Sequence, residues 1–385
     1  MAQFKLFADK GKPMEEQFMS WNEMIKDPYD KNKVDAYTRC RVILMNGIEN
    51  NSVITSHAIA RMTDNDDVKE KMAIIRRADS QQQQTVNWLT PANQTIVETT
   101  LGFEQVAVDL TANLAKNEQD PYFKQVLDFA LIEDFDHLFR YARLMEILQD
   151  EDPESITQGK TEIKPGRPTI DEHRHPVDEM RNHVDGSKVS AKTMMNYYTI
   201  VSAEQQTELF YKAHGCMYAN DIARKLYAEI AEIEEEHVTH YELIGDPRLS
   251  HLEMMTLMQV NEAYNYYSCM HSEVDNRIKS IWEQFYEMEL THVSICNELL
   301  KKYEKKDLTD VLRGDTIEPL IVFEPNKDYV NKIVETQVDL RPLDKQFVMK
   351  DKLPKDWASY KYQDTVNAGG VPSEQVVEQA QRKAA

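Results

Sequence analysis

Glycine and proline are scarce in this chain, with 11 and 14 among 385 residues, so polar–apolar periodicity runs over long stretches without the breaks they impose. Cysteine is scarcer. The four thiols, Cys40, Cys216, Cys269 and Cys296, lie far apart with no Cys-x-x-Cys pair. That spacing argues against a disulfide framework or a cysteine-held cluster and fits a reducing compartment. No run of about 18 apolar residues exists, so no membrane-spanning helix is expected. Met1 to Phe18 also lacks an apolar stretch of signal-peptide length. Positive charge is in deficit: 45 Lys and Arg against 66 Asp and Glu leave a formal net charge of −21. Such a balance argues against a nucleic-acid groove or an anionic membrane surface as partner. The expectation is a soluble cytoplasmic protein, long enough for two small domains or one large one.

What is present is a set of charges inside apolar patterns, repeated at an offset of 100 residues. Glu104, Asp134 and His137 recur as Glu204, Glu234 and His237. In each set the second residue follows the first by thirty positions and the His follows by three more. At ~1.5 Å per residue, thirty positions run half-way along one helix, turn, and return to the same level on an antiparallel neighbour. A carboxylate with a His three residues later places two ligands on one helix face. Two such hairpins facing each other put four carboxylates and two imidazoles around one point, the ligand set of a dinuclear metal site in a four-helix bundle.

Spacing alone is weak: Asp and Glu are 66 of 385 residues, so among 11 His about two such pairs arise by chance. Glu172 with His175, in a Pro-containing non-periodic stretch, reads as one of these. Position within the helix adds weight. Steps of four and three give Phe123, Leu127, Ala130, Asp134, His137, Tyr141, Leu144, and later Ala223, Tyr227, Ile230, Glu234, His237, Tyr241, Ile244. The polar pair falls mid-seam in both. Buried carboxylates are costly there unless a metal or a polar network satisfies them. Asp134 faces the core and Glu133 lies one step off, so Asp134 is the expected ligand.

The predicted organisation is all-α. After an N-terminal segment (1–35), eight long helices form four hairpins: 36–62 with 66–90, 94–117 with 121–149, 190–216 with 220–244, and 250–273 with 275–305. Asp120-Pro121 and Asn220 supply N-cap signals, and Gly245-Asp246-Pro247 separates the third and fourth hairpins. Residues 150–189 read as a crossover between the two central hairpins (94–149 and 190–245). Residues 306–385 read as an irregular, extended C-terminal arm, with the polar end from Gly369 loosely held. The outer hairpins (36–90 and 250–305) carry a fainter copy of the layout: Glu49, Asp79 and Gln82, then Gln259, Glu289 and His292. All four hairpins look like one repeated unit. The simplest assembly pairs the second with the third and the first with the fourth.

These residues resemble the ferritin-like superfamily of di-iron and di-manganese carboxylate proteins, which includes rubrerythrins, manganese catalases and bacterial di-iron oxygenases. The likeness rests on Glu104, Asp134-Phe135-Asp136-His137, Glu204 and Glu234-Glu235-Glu236-His237. It implies a ferritin-like four-helix bundle in which Glu104, Asp134 and His137 serve one half of a site and Glu204, Glu234 and His237 the other. It also implies two metal ions per chain, iron first and manganese second, and a homodimer. Asp134 stands where the family has Glu, and the cysteines of a rubredoxin module are absent, so electrons come from an external donor.

The leading functional expectation is an oxidoreductase that activates O2 or peroxide at this dinuclear centre; hard carboxylates with imidazoles suit iron or manganese. The alternatives are a metal carrier or ferroxidase, and a non-catalytic helical scaffold with vestigial sites. Glu208 is a candidate extra ligand or neighbour of the ligands. Tyr141, Tyr211 and Tyr241 are core aromatics near the site or redox residues. Glu49, Asp79, Gln82, Gln259, Glu289 and His292 form a possible second, degenerate site. Glu262 is expected on a solvated or intersubunit face, His173, His175 and His183 on the surface, Glu232 to Glu236 in solvent apart from Glu234, and most of Gln81–Gln84 exposed.

Overall fold

The computed structural model describes residues 3–384. Among these, eight long helices carry the architecture: α1 (Ala36–Met62), α2 (Asp66–Asn87), α3 (Ile96–Asn117), α4 (Pro121–Gln149), α5 (Ala191–Gly215), α6 (Asp221–Glu242), α7 (His251–Ser272) and α8 (Asn276–Glu304). Each begins at a side chain that accepts from its own first amides: Asp35, Asn65, Thr95, Asp120, Ser190, Asn220, Ser250 and Asp275. These caps satisfy donors that a helix cannot pair internally and contribute about 1 kcal/mol each. At α4, Asp120 accepts from the amides of Tyr122 and Phe123, and Pro121 occupies the first helical position, where its missing N–H leaves no bond unmade.

Consecutive helices pack as hairpins. The pairs α3–α4 and α5–α6 pack on each other, and so do α1–α2 and α7–α8. The two four-helix groups join mainly where α1 lies along α5. Apolar seam residues such as Leu127, Ala130, Leu144, Tyr227 and Ile230 are buried between the helices, which is where the polar residues they flank are carried as well. The protein is mainly helical, and no described helix is long and apolar enough to cross a membrane.

The segment between α4 and α5 lies tightly on α4. The Arg167 amide donates to the Ile132 carbonyl at 2.9 Å, and the amides of Gly166 and Thr169 donate to Asp136 at 3.0 and 2.9 Å. A Cβ at Gly166 would fall 2.1 Å from the Ile132 oxygen, so this approach requires glycine.

The C-terminal region is more ordered than the irregular arm expected from sequence. Strand β1 (Phe4–Lys5) pairs antiparallel with β2 (Thr316–Ile317). Helix α9 (Lys327–Gln337) is followed by a hairpin of β3 (Leu340–Leu343) and β4 (Gln346–Met349), then α10 (Ala358–Val366) and α11 (Pro372–Ala384). The described part of the end, 369–384, is not loosely held: α11 packs across α4 and α6 and buries Val376 and Ala380. Two apolar residues four apart make a narrow helical stripe that is easily lost in a polar composition. Arg140 donates to the Ser373 carbonyl at 3.1 Å, and the Ser373 amide donates to Glu229 at 2.6 Å.

Candidate metal centre

Glu104 on α3, Asp134 and His137 on α4, Glu204 on α5, and Glu234 and His237 on α6 meet between the four central helices, all of them buried. They form two groups that could hold metal ions, and the groups share Glu234. Asp134, Glu204, Glu234 and His237 offer atoms within 4.8 Å of one another, as do Glu104, His137 and Glu234. His137 Nδ1 lies 3.0 Å from Glu234 Oε1. His237 Nδ1 lies 3.5 Å from Glu234 Oε2, 3.2 Å from Asp134 Oδ1 and 3.8 Å from Glu204 Oε2. One carboxylate therefore turns an oxygen to each half. Glu104 Oε2, both oxygens of Asp134 and of Glu204, and Glu234 Oε2 have no hydrogen-bond partner among the described residues. Leaving a buried acceptor unsatisfied costs roughly 1–3 kcal/mol, and more if it is charged.

Behind each imidazole stands another carboxylate. His137 Nε2 is 2.9 Å from Glu172 Oε2, and His237 Nε2 is 2.9 Å from Glu133 Oε2. Both contacts were missed by sequence reasoning. The spacing of Glu172 to His175 is accidental, as expected, but Glu172 itself pairs with His137, and the non-periodic segment that carries it gave no seam to read. Glu133 is one step off the seam yet buried, because the crossover covers that face of α4. Arg174 donates to its two oxygens at 2.7 and 2.9 Å, and Arg167 donates to Oε1. Arg167 also lies 3.9 Å above the Phe129 ring. Glu236, expected in solvent, is buried against Arg174 at 3.3 Å. His173 is likewise buried, 2.9 Å from Glu229, whereas His183 is exposed and His175 half-buried.

Tyr211 donates to Glu104 Oε1, and Tyr141 packs between Tyr211 and Tyr227 with ring centroids 5.2 and 4.9 Å away. The hydroxyls of Tyr141 and Tyr241 have no partner among the described residues. Glu208 joins neither metal-capable group. It accepts from Lys212 and Gln205, both at 2.8 Å, because a lysine one turn along α5 draws it to the outer face.

The outer hairpins bring Asp79, Glu262, Glu289 and His292 within the same 4.8 Å. Glu262 corrects the sequence reading: it is buried and faces this cluster, three residues after Gln259 and so on the same side of α7. Gln82 donates to Glu289 Oε1 at 2.7 Å, Gln259 donates to Glu262 Oε1 at 3.1 Å, and Glu49 accepts from Tyr266. Of Gln81–Gln84 only Gln84 is exposed, since the run lies along the α1 and N-terminal contacts. Tyr266 follows Gln259 by seven residues as Tyr211 follows Glu204, and each reaches the glutamate of the other hairpin.

Burial, then the charge of Glu234, pushes Glu104 well above the usual carboxylate range; burial, then Asp134, does the same to Glu204. Burial raises Asp79 to about 6 and Glu172 to about 7. Burial works against protonation of His137 and His237, but their carboxylate neighbours win and hold both well above the imidazole range. Glu234 goes the other way, to about 2; burial opposes this but the two imidazoles prevail. A raised group contributes stability below its unfolded value and loses it as pH rises through the folded value. Glu234 adds stability above the unfolded carboxylate value, which is already complete by neutral pH. The metal-free chain should therefore lose stability from pH 5 to pH 8, through Glu104, Glu204, Asp79 and Glu172 and, above the unfolded imidazole value, through His137 and His237, at about 1.4 kcal/mol per tenfold change in proton affinity. Thermal unfolding with and without chelator checks this: metal should flatten the pH profile, and a metal-free chain more stable at pH 8 would contradict it.

No protein-family model matches the chain, and no curated protein or solved structure is significantly similar to it.

Proposed function

We propose that this chain is a ferritin-like oxidoreductase whose central helices hold two iron ions, with manganese as the alternative, and that it activates O2 or peroxide with electrons from an external donor. The observation that carries the reading is Glu234, shared between two ligand groups and surrounded by carboxylate oxygens that nothing else satisfies. The residues fit such a pair. Four carboxylates balance two dipositive ions, and hard oxygen donors with one imidazole per half suit iron or manganese. When bound, the pair supplies a Lewis-acid surface and one-electron redox steps.

The chain's own groups support that chemistry. Glu172 and Glu133 engage the Nε2 atoms of His137 and His237 and so aim each Nδ1 inward. Tyr211 holds one oxygen of Glu104 through its hydroxyl proton, leaving the other free. The burial of all six residues excludes bulk water and favours reactants the size of O2 or H2O2.

The test is to load the protein anaerobically with Fe(II), reduce it, and follow oxidant consumption with and without a chemical electron donor. Repeated turnover of peroxide or O2 with donor is the expected result. Oxidation of iron once, with no turnover, would replace the proposal with a ferroxidase or carrier. No retained iron or manganese would leave a scaffold.

A further inference from the structure

The outer hairpins keep one half of the central arrangement, with Glu262 making up for an amide there, and block the other half with a second amide. Asp79, Glu289 and His292 occupy the layout positions of Asp134, Glu234 and His237. Gln259 stands in the place of Glu204, and Glu262, one turn along α7, supplies the missing carboxylate. His292 Nδ1 is 3.2 Å from Asp79 Oδ1 and 3.0 Å from Glu289 Oε2. On the opposite side, Gln82 takes the place of His137. Its Nε2 donates to Glu289 Oε1 at 2.7 Å, so a neutral amide blocks the oxygen that would face a second ion. Glu49, the counterpart of Glu104, accepts from Tyr266 and stands outside the group whose atoms lie within 4.8 Å.

Two independent features point to a ligand in the intact half. Asp79 Oδ1, Glu262 Oε2 and Gln259 Oε1 are buried polar atoms without a hydrogen-bond partner among the described residues. The imidazole is also oriented from behind. Buried Gln17 donates its Nε2 to the carbonyls of Lys12 at 2.8 Å and Met288 at 3.3 Å. Its Oε1 is thereby left to accept, and it lies 2.7 Å from His292 Nε2. Nε2 must carry the proton, so in the neutral ring Nδ1 presents its lone pair to the three carboxylates.

We propose that Asp79, Glu262, Glu289 and His292 form a second metal site that binds one divalent cation of the Mn(II) or Fe(II) class, with Gln82 closing the other half. Three carboxylates and one imidazole, with no thiolate, favour such an ion over a structural zinc. This site is independent of the central pair.

Metal-free protein is titrated with Mn(II) alone under anaerobic conditions, desalted, and metal per chain is counted by mass spectrometry for wild type, Glu262→Gln, His292→Ala and His137→Ala. Glu262→Gln and His292→Ala should each lose one Mn(II) relative to wild type, and His137→Ala should retain that ion. Glu262→Gln nearly preserves shape and removes only charge, so it carries the test if His292→Ala fails to fold. Unchanged stoichiometry in folded Glu262→Gln would overturn the proposal, as would the loss of two ions. If the central reading alone fails, wild type holds one ion and Glu262→Gln none.

Discussion

Replacement of His237 by alanine should empty the central centre and abolish oxidant turnover. The side chain supplies the only imidazole of the group formed with Asp134, Glu204 and Glu234. Its loss leaves those three carboxylates facing one another in a buried volume with only His137, beside Glu234, to balance them. Such carboxylates take up protons rather than remain charged, and a protonated carboxyl is a poor ligand. Because Glu234 also serves the other half, through His137 Nδ1 at 3.0 Å, the second ion loses a defined partner as well. His137→Ala should act alike. Glu172→Gln gives the graded comparison: it keeps every proposed ligand and alters only the group behind His137, so metal affinity should fall roughly 10–100-fold rather than vanish. Metal per chain, counted after desalting, checks all three. Full occupancy in both histidine variants would sink the ligand assignment.

Arg174→Ala should be among the most destabilising single changes in the protein, costing roughly 3–5 kcal/mol, the range for a buried ion pair deprived of one partner. Arg174 is fully buried and serves three buried carboxylates: Glu133 through two hydrogen bonds, Glu179 through Nε, and Glu236 at 3.3 Å. Burial opposes the charge on Glu133, but Arg174 and then Arg167 hold it well below the usual carboxylate range. Without Arg174 those charges must be neutralised or hydrated inside the core. Arg174→Lys should recover only part of the loss, since an ammonium cannot span both oxygens of Glu133 as the guanidinium fork does. Urea unfolding measures the effect, and a loss below about 1 kcal/mol for Arg174→Ala would show that the network contributes little.

The helices were legible because their signals are local. Each begins at a polar cap, and the interior repeats an apolar stripe that a row of residues displays without reference to any other segment. The buried positions of Glu104, Asp134, His137, Glu204, Glu234 and His237 followed from the same stripe, since a charge in mid-seam must go where the seam goes. Glu208 shows the limit of that reasoning. It lies four residues after Glu204 on α5, but Lys212 one turn further turns it outward.

Residues that approach the centres from outside the helical repeat were not legible. Glu172, Arg167 and Arg174 sit in a segment with no periodicity, and Gln17 in one with little helix. Their roles arise when α4 is overlaid through Gly166 and when the N-terminal segment lies along α8. Glu133 read as one step off the seam and Glu236 as solvated because a helix alone does not reveal what covers its second face. Glu262 was misplaced for a related reason: Gln259 held the expected position, and only the meeting of side chains from α2, α7 and α8 shows a carboxylate one turn on completing the group. Sequence by itself determined the helical class, the hairpin repeat and the inward-facing donors, because these depend on contacts within three or four residues. Tertiary structure alone decided which donors meet, which way each imidazole points and what balances each buried charge, because those depend on segments brought together from distant parts of the chain.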